Sequence, residues 1–356
     1  MSDWRQLLTD PRPNLRRRLL RWGLRLGSLP YAAAMSARNK AYDWGWLQTT
    51  RTPLGVISVG NLSVGGTGKS PLVAWLARWL RTRDVRVAVL SRGYGELDSG
   101  RNDEALEFEL QFPDVPHLQH PDRRASAQLA HEELEMQVLL LDDGFQHRRL
   151  GRDLDIVLLD ATHPPAAQWL LPGGLMREPL ASLSRADVVV LTRANQVAAE
   201  QLAQLQRQVR RSAPKATLVL AEHRAAGLWS CASCRQGVEA LQGTKVLAFS
   251  AIGNPESFYR SLQELGAEVL DHRTWPDHHA FHTADLASLQ AWSKDHSQAD
   301  MVVCTMKDWV KIQESSLGDK PLCALQIDMA ITGGLAEFEK QLESLLLKIE
   351  HPPANA

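Results

Sequence analysis

The sequence predicts an α/β protein made of two α/β/α sandwich domains joined by a short linker, the first a phosphate-loop NTPase-like, mostly parallel sheet. Three observations predict this. Short, unbroken apolar runs alternate with helical stretches, as in parallel sheets covered on both faces. A glycine-rich turn ending in Lys69-Ser70 lies between the first such run and the first clearly amphipathic helix. The chain has 356 residues, too many for one ordinary domain and a comfortable length for two.

Taken in order, the chain opens with Arg16, Arg17, Arg18, Arg21 and Arg25 set among Leu15, Leu19, Leu20, Trp22, Leu24 and Leu26. Arginines interrupt the apolar residues, so this is not read as a cleavable signal. No run of 18 apolar residues occurs, so no transmembrane span is expected. A basic helix rich in Leu and Trp suits an anionic membrane surface, and it equally suits a helix packed on the domain with its arginines in water. Gly55–Val59 reads as the first strand. The loop "NLSVGGTGKSP" follows, and Leu72, Val73, Leu76, Trp79 and Leu80 then mark one helical face, with Pro71 in the first turn. Further strands are expected at Val85–Leu90, Gln137–Leu141, Asp155–Leu159, Asp187–Leu191 and Ala216–Leu220. Residues 222–243 have weak periodicity and read as the linker, which divides a first domain over 1–221 from a smaller one over 244–350. The smaller domain has candidate strands at Lys245–Phe249, Glu268–Leu270, Met301–Cys304 and Leu322–Ile327, and a closing helix at Leu335–Ile349. The default site is a cleft between the two domains.

The loop departs from G-x-x-x-x-G-K-[ST]: Ser63 stands where the first glycine belongs. A strand before it and a helix after it still make it a phosphate cradle. Backbone N–H groups over Gly65, Gly66, Thr67, Gly68, Lys69 and Ser70 can converge on phosphate oxygens. Lys69 would pair with the β- and γ-phosphates, and the Ser70 hydroxyl would ligate Mg²⁺. The apolar strand before Asp142 and Asp143 supplies carboxylates at a strand's carboxyl end, a second metal-binding element. Mg-ATP or Mg-GTP is therefore the expected ligand. Thr305–Asp308, "TMKD", only loosely imitates a guanine reader. A net charge of −1 argues against a nucleic-acid partner. Cys231-Ala-Ser-Cys234 is a lone C-x-x-C, read as two free thiols, and a metallochaperone-type GTPase, an ATP-dependent ligase or a non-enzymatic nucleotide sensor is the alternative to a kinase.

Beyond the loop, "SRGYG" (91–95), "DEA" (103–105), "DDGFQH" (142–147), "LPGGLMREP" (171–179), "NPESF" (254–258), "DHHAF" (277–281) and "TMKD" (305–308) occur in an order that resembles the tetraacyldisaccharide 4′-kinase family. The family's loop is similar to Val59–Pro71, displaced glycines included. Met306, where the family commonly has Glu, "SAIGNP" for the more usual "GIANP", and Met176 before Arg177 are departures. The resemblance implies ATP-dependent phosphorylation of the 4′-hydroxyl of an acylated glucosamine disaccharide 1-phosphate in lipid A biosynthesis. It also implies a peripheral place on the cytoplasmic face of the inner membrane, with the N-terminal helix among anionic lipids. By the same resemblance Asp103 is the base or substrate-orienting carboxylate and His278 its partner from the second domain; Arg177 and Arg92 are candidates for stabilising phosphate charge, since a planar guanidinium pairs well with phosphate.

Overall fold

The computed structural model describes residue 8 and residues 14–93, 103–164, 169–231, 234–277 and 279–350. The chain forms two compact units. The first comprises Met1–Gly93, Asp114–His223 and Met329–Ala356, and the second Tyr94–Pro113 and Arg224–Asp328.

In the first unit the strands are β1 (Gly55–Asn61), β2 (Val87–Ser91), β3 (His117–Gln119), β4 (Val138–Asp142), β5 (Leu154–Asp160), β6 (Val188–Thr192) and the opening part of β7 (Thr217–Cys231). They pair in the order β3-β2-β4-β1-β5-β6-β7, every neighbour parallel. All seven residues of β1 and all seven of β5 are buried, which explains their unbroken apolar sequences. Helix α2 (Lys69–Arg81) buries Leu72, Val73, Leu76, Trp79 and Leu80, the predicted stripe. On the other face, Leu139 and Leu141 of β4 pack with Ala127 and Ala130 of a helix spanning Arg123–Glu132.

Helix α1 (Leu15–Asp43) behaves differently along its length. Its later half is tied to the unit: Ser28 Oγ donates to Leu170 O (2.7 Å), Tyr31 Oη to Arg177 O (2.9 Å) and Asn39 Nδ2 to Glu178 Oε2 (2.7 Å). Its earlier half leaves Leu15, Leu19, Leu20, Trp22 and Leu26 exposed. No described helix is long and apolar enough to cross a membrane.

In the second unit, β9 (Lys245–Ser250), β10 (Glu268–Thr274), β11 (Met301–Thr305) and the opening part of β13 (Lys320–Gly333) pair in parallel in the order β10-β9-β11-β13. The fold class is the expected one. Its boundaries differ in three places. Residues 222–243 are not an irregular linker: they hold the end of β7, β8 (Cys234–Gln236) and a short 3₁₀ turn (Val238–Leu241). Their weak periodicity reflects a hairpin in which Cys231 and Cys234 are register partners. Helix α3 (Asp103–Gln111) leaves the first unit for the second, where it packs on α8 (Met306–Ile312). The last helix, Leu335–Glu350, leaves the C-terminal domain for the first unit, because Phe338 stacks on Trp75 of α2 (5.4 Å between ring centroids).

Candidate functional site

The loop between β1 and α2 carries the first group of predicted residues. The loop entrance, where Ser63 stands in place of glycine, is stitched to a neighbouring segment. Ser63 forms an antiparallel bridge with Met176, Val64 N donates to Leu175 O (2.7 Å), and Arg177 N donates to Leu62 O (2.6 Å). These bonds also deliver Arg177 to the loop. Gly68 caps α2 in the left-handed region (φ 91°), with no side-chain cap and no acidic residue in the first turn. The helix N-terminus is thus open to an anion. A Cβ at Gly68 would lie 2.5 Å from His223 Nε2, so the position demands glycine on two grounds.

Asp143 lies just beyond β4, in the left-handed region (φ 51°). The turn that carries it presses against β1: a Cβ at Gly60 would lie 2.5 Å from Phe145 Cβ. Lys69 Nζ is 3.4 Å from Asp143 Oδ1, and Arg177 Nη1 is 2.6 Å from Asp143 Oδ2. Burial pushes the Asp143 carboxyl up, but Lys69, Arg177 and Arg123 outweigh it and hold it below its ordinary value. Asp142 Oδ1 accepts from the Asp143 amide (2.9 Å). Lys69, Asp142, Asp143 and Arg177 are therefore gathered at the carboxyl ends of β1 and β4. Asp142 and Asp143 offer carboxylate oxygens at the end of β4, and Ser70 a hydroxyl in the first turn of α2. That set suits Mg²⁺, which is bound through few protein ligands and keeps water and phosphate oxygens.

Three residues that sequence reasoning did not single out flank the loop on the β5–β6–β7 side. Thr192 Oγ1 donates to Thr67 O (2.9 Å), and Arg193 Nη2 donates to Gly66 O (3.0 Å). His223 presents a buried Nε2 with no hydrogen-bond partner against Gly68. Burial first, then the charge of Arg193, lowers its pKa to about 4, so the imidazole is neutral at pH 7. A Thr-Arg pair ending a buried strand was the available signal.

Asp103 lies in the second unit, not the first. At the start of α3, its Oδ2 is 2.8 Å from Lys311 Nζ of α8, both side chains nearly excluded from solvent. Beside them Lys307 Nζ meets Glu104 Oε1 (3.1 Å). What differs from expectation is the unit to which Asp103 belongs: α3 folds with the segment Arg224–Asp328. His278 lies outside the described residues. "TMKD" caps a helix: Thr305 Oγ1 accepts from the Asp308 amide (3.3 Å) and donates to Asp308 Oδ2 (2.6 Å), while Met306 is core.

An open helix N-terminus with Lys-Ser, facing a strand-end carboxylate, is the arrangement of a phosphate-loop enzyme. The model of the family described as tetraacyldisaccharide-1-P 4′-kinase matches residues 20–347. The chain belongs to this family. A tetraacyldisaccharide 4′-kinase of Syntrophus aciditrophicus is 36% identical over 97% of both chains. Another, of Anaeromyxobacter sp. strain Fw109-5, is 38% identical over 89% of this chain and 90% of that one. Among solved structures, the "apo" form of the Aquifex aeolicus member, LpxK, crystallised in complex with ATP, is 30% identical with a TM-score of 0.72. It matches over 93% of this chain and 99% of its own. The tetraacyldisaccharide 4′-kinase reaction phosphorylates an alcohol group in lipid A biosynthesis, and this chain is a kinase of that class.

Proposed function

We propose that the chain transfers the γ-phosphoryl group of ATP to the 4′-hydroxyl of tetraacyldisaccharide 1-phosphate, with Mg²⁺, at the Lys69–Asp143–Arg177 cluster. The observation that carries this reading is the Asp143 carboxylate bracketed by Lys69 and Arg177 at an uncapped helix N-terminus. The amides of Gly65 to Ser70 cradle the phosphates, and Lys69 neutralises charge that builds during transfer. Ser70, Asp142 and Asp143 would hold a magnesium ion, which when bound would supply charge neutralisation at the transferring phosphate. Once phosphate and metal arrive, Lys69 and Arg177 exchange part of their hold on Asp143 for phosphate oxygens, a bidentate role for which the Arg177 guanidinium is shaped. To Asp103, which pairs with Lys311, and to His278 we assign, on the family resemblance, the orienting of the acceptor hydroxyl and the taking of its proton.

The acceptor is a lipid, and α1 supplies a place to meet it. Leu15, Leu19, Leu20, Trp22 and Leu26 are exposed on a helix that carries Arg16, Arg17, Arg18, Arg21 and Arg25. We place this half of α1 in the cytoplasmic interface of the inner membrane, its apolar side chains among acyl chains and its arginines on lipid phosphates.

The test is transfer of γ-labelled phosphate from ATP to tetraacyldisaccharide 1-phosphate in detergent micelles with Mg²⁺, for the unaltered protein beside Lys69→Ala. Lys69→Ala should lower turnover at least about a hundredfold while it stays folded. Full turnover by folded Lys69→Ala would remove the cluster from the chemistry. If the folded, ATP-binding wild type formed no labelled lipid, the nucleotide-sensor reading would replace it.

A further inference from the structure

The phosphate loop is held from behind by groups that the proposed chemistry does not use. Thr192 is the last residue of β6 and is wholly buried; its Oγ1 donates to Thr67 O at 2.9 Å. Arg193 follows it in the left-handed region (φ 54°), a conformation that costs a non-glycine residue free energy and persists where the surroundings enforce it. That twist sends its guanidinium back across the strand ends, where Nη2 donates to Gly66 O (3.0 Å) and Nη1 meets Asp160 Oδ2. Asp160, the last residue of β5, is fixed in turn by the Thr162 hydroxyl (2.6 Å) and the Thr162 amide (3.0 Å). Two consecutive carbonyls of the loop are therefore gripped by two consecutive residues of β6 and the turn after it.

A planar trans peptide points its C=O and N–H in opposite directions. A carbonyl held towards β6 thus turns the next amide away from β6. Holding Thr67 O aims the Gly68 amide outward, at the uncapped N-terminus of α2. Holding Gly66 O does the same for the Thr67 amide, which here closes on Gly65 O (3.0 Å). An anion that arrived could take that amide over without a change in the Gly66 peptide plane.

We infer that Thr192 and Arg193, the latter braced by Asp160, are positioning residues that pre-set the loop amides for the nucleotide phosphates. The inference rests on the reading of the Lys69 loop as the ATP site. These residues touch the loop and not the reacting atoms, so their loss weakens nucleotide binding and leaves the acceptor lipid's side of the reaction alone.

The experiment is calorimetric titration of MgATP into the full-length protein, with KM for ATP, KM for the acceptor lipid and the melting temperature measured alongside. Thr192→Val keeps size and shape while removing the donor; Arg193→Met keeps length while removing the charge. Each should weaken MgATP binding and raise KM for ATP about five- to tenfold, the scale of one hydrogen bond. The acceptor KM should stay within about twofold. Thr192→Ser and Arg193→Lys should recover most of the loss. If Thr192→Val and Arg193→Met bind MgATP like the wild type while Lys69→Ala does not, the inference fails and the ATP-site reading stands. Wild-type MgATP binding and turnover in Lys69→Ala would sink that reading itself. A fall in melting temperature with both KM values rising together would reduce the two residues to a general structural role and overturn the inference.

Discussion

At the scale of single residues, the site is defined by backbone positions as much as by charges. Gly68 is held at φ 91° with His223 Nε2 where its Cβ would stand. Gly68→Ala should therefore destabilise the protein by about 1–2 kcal/mol, read from urea unfolding, and weaken MgATP binding. A second variant, Gly68→Ala with His223→Ala, should recover only the steric part, because the left-handed backbone remains. Asp103 and Lys311 form a pair almost closed to solvent. Lys311→Met should cost about 3–5 kcal/mol by breaking a buried ion pair, and Asp103→Asn in the same background should recover part of it. Of these residues, Lys69, Ser70, Asp142 and Asp143 were legible in the sequence, because strand, glycine turn, Lys-Ser and strand-Asp-Asp each have one local physical meaning. Lys311 and His223 were not. A lysine or histidine with no motif around it shows a partner only after distant segments fold together.

At the scale of elements, α2 anchors the loop because its apolar stripe is buried against the sheet. Leu76 is entirely buried, so Leu76→Ala should cost about 2–5 kcal/mol in a thermal or urea melt, with the loop's activity lost only as the protein unfolds. Helix α1 divides its work. Its docked half bonds to the carbonyls of Leu170 and Arg177, and its exposed half offers Leu, Trp and Arg to a surface. Substituting Leu15, Leu19, Leu20 and Trp22 with Ser should abolish flotation with anionic vesicles, while the melting temperature stays within a few degrees. Unchanged flotation would return these side chains to an ordinary solvated face. The amphipathic composition was visible in the sequence; which half docks was not, since Ser28, Tyr31 and Asn39 are unremarkable until their partners are known.

For the whole molecule, individual buried titratable groups pull stability in opposite directions with pH. In the first unit, burial lowers His147 and His223 from 6.5 to about 4. Between pH 6.5 and about 4 the unfolded chain binds protons that the folded chain refuses, so acidification removes stability across that window. In the second unit, burial raises Glu107 from 4.5 to about 7, and Lys307 only partly offsets it. Between pH 4.5 and about 7 the folded chain keeps a proton the unfolded chain has released, so Glu107 costs stability as pH rises. His223→Gln should flatten the acid side of a melting-temperature profile, and Glu107→Gln should raise the melting temperature more at pH 8 than at pH 4. A profile untouched by either substitution would show that these groups do not set it.

By itself the sequence determined the α/β class, the strand–glycine turn–helix succession at Lys69, and the family, because each rests on short-range pattern: apolar runs, helical periodicity, glycine spacing and a series of motifs in order. Tertiary structure alone decided which segments fold together. It moved α3 with Asp103 into the second unit and the last helix into the first, and turned the supposed linker into paired strands. It also brought Arg177, Thr192, Arg193 and His223 around one loop. The physical reason is that burial and hydrogen bonding are satisfied between residues far apart in the chain. Local sequence specifies what each segment is, and only the packed fold specifies what it meets.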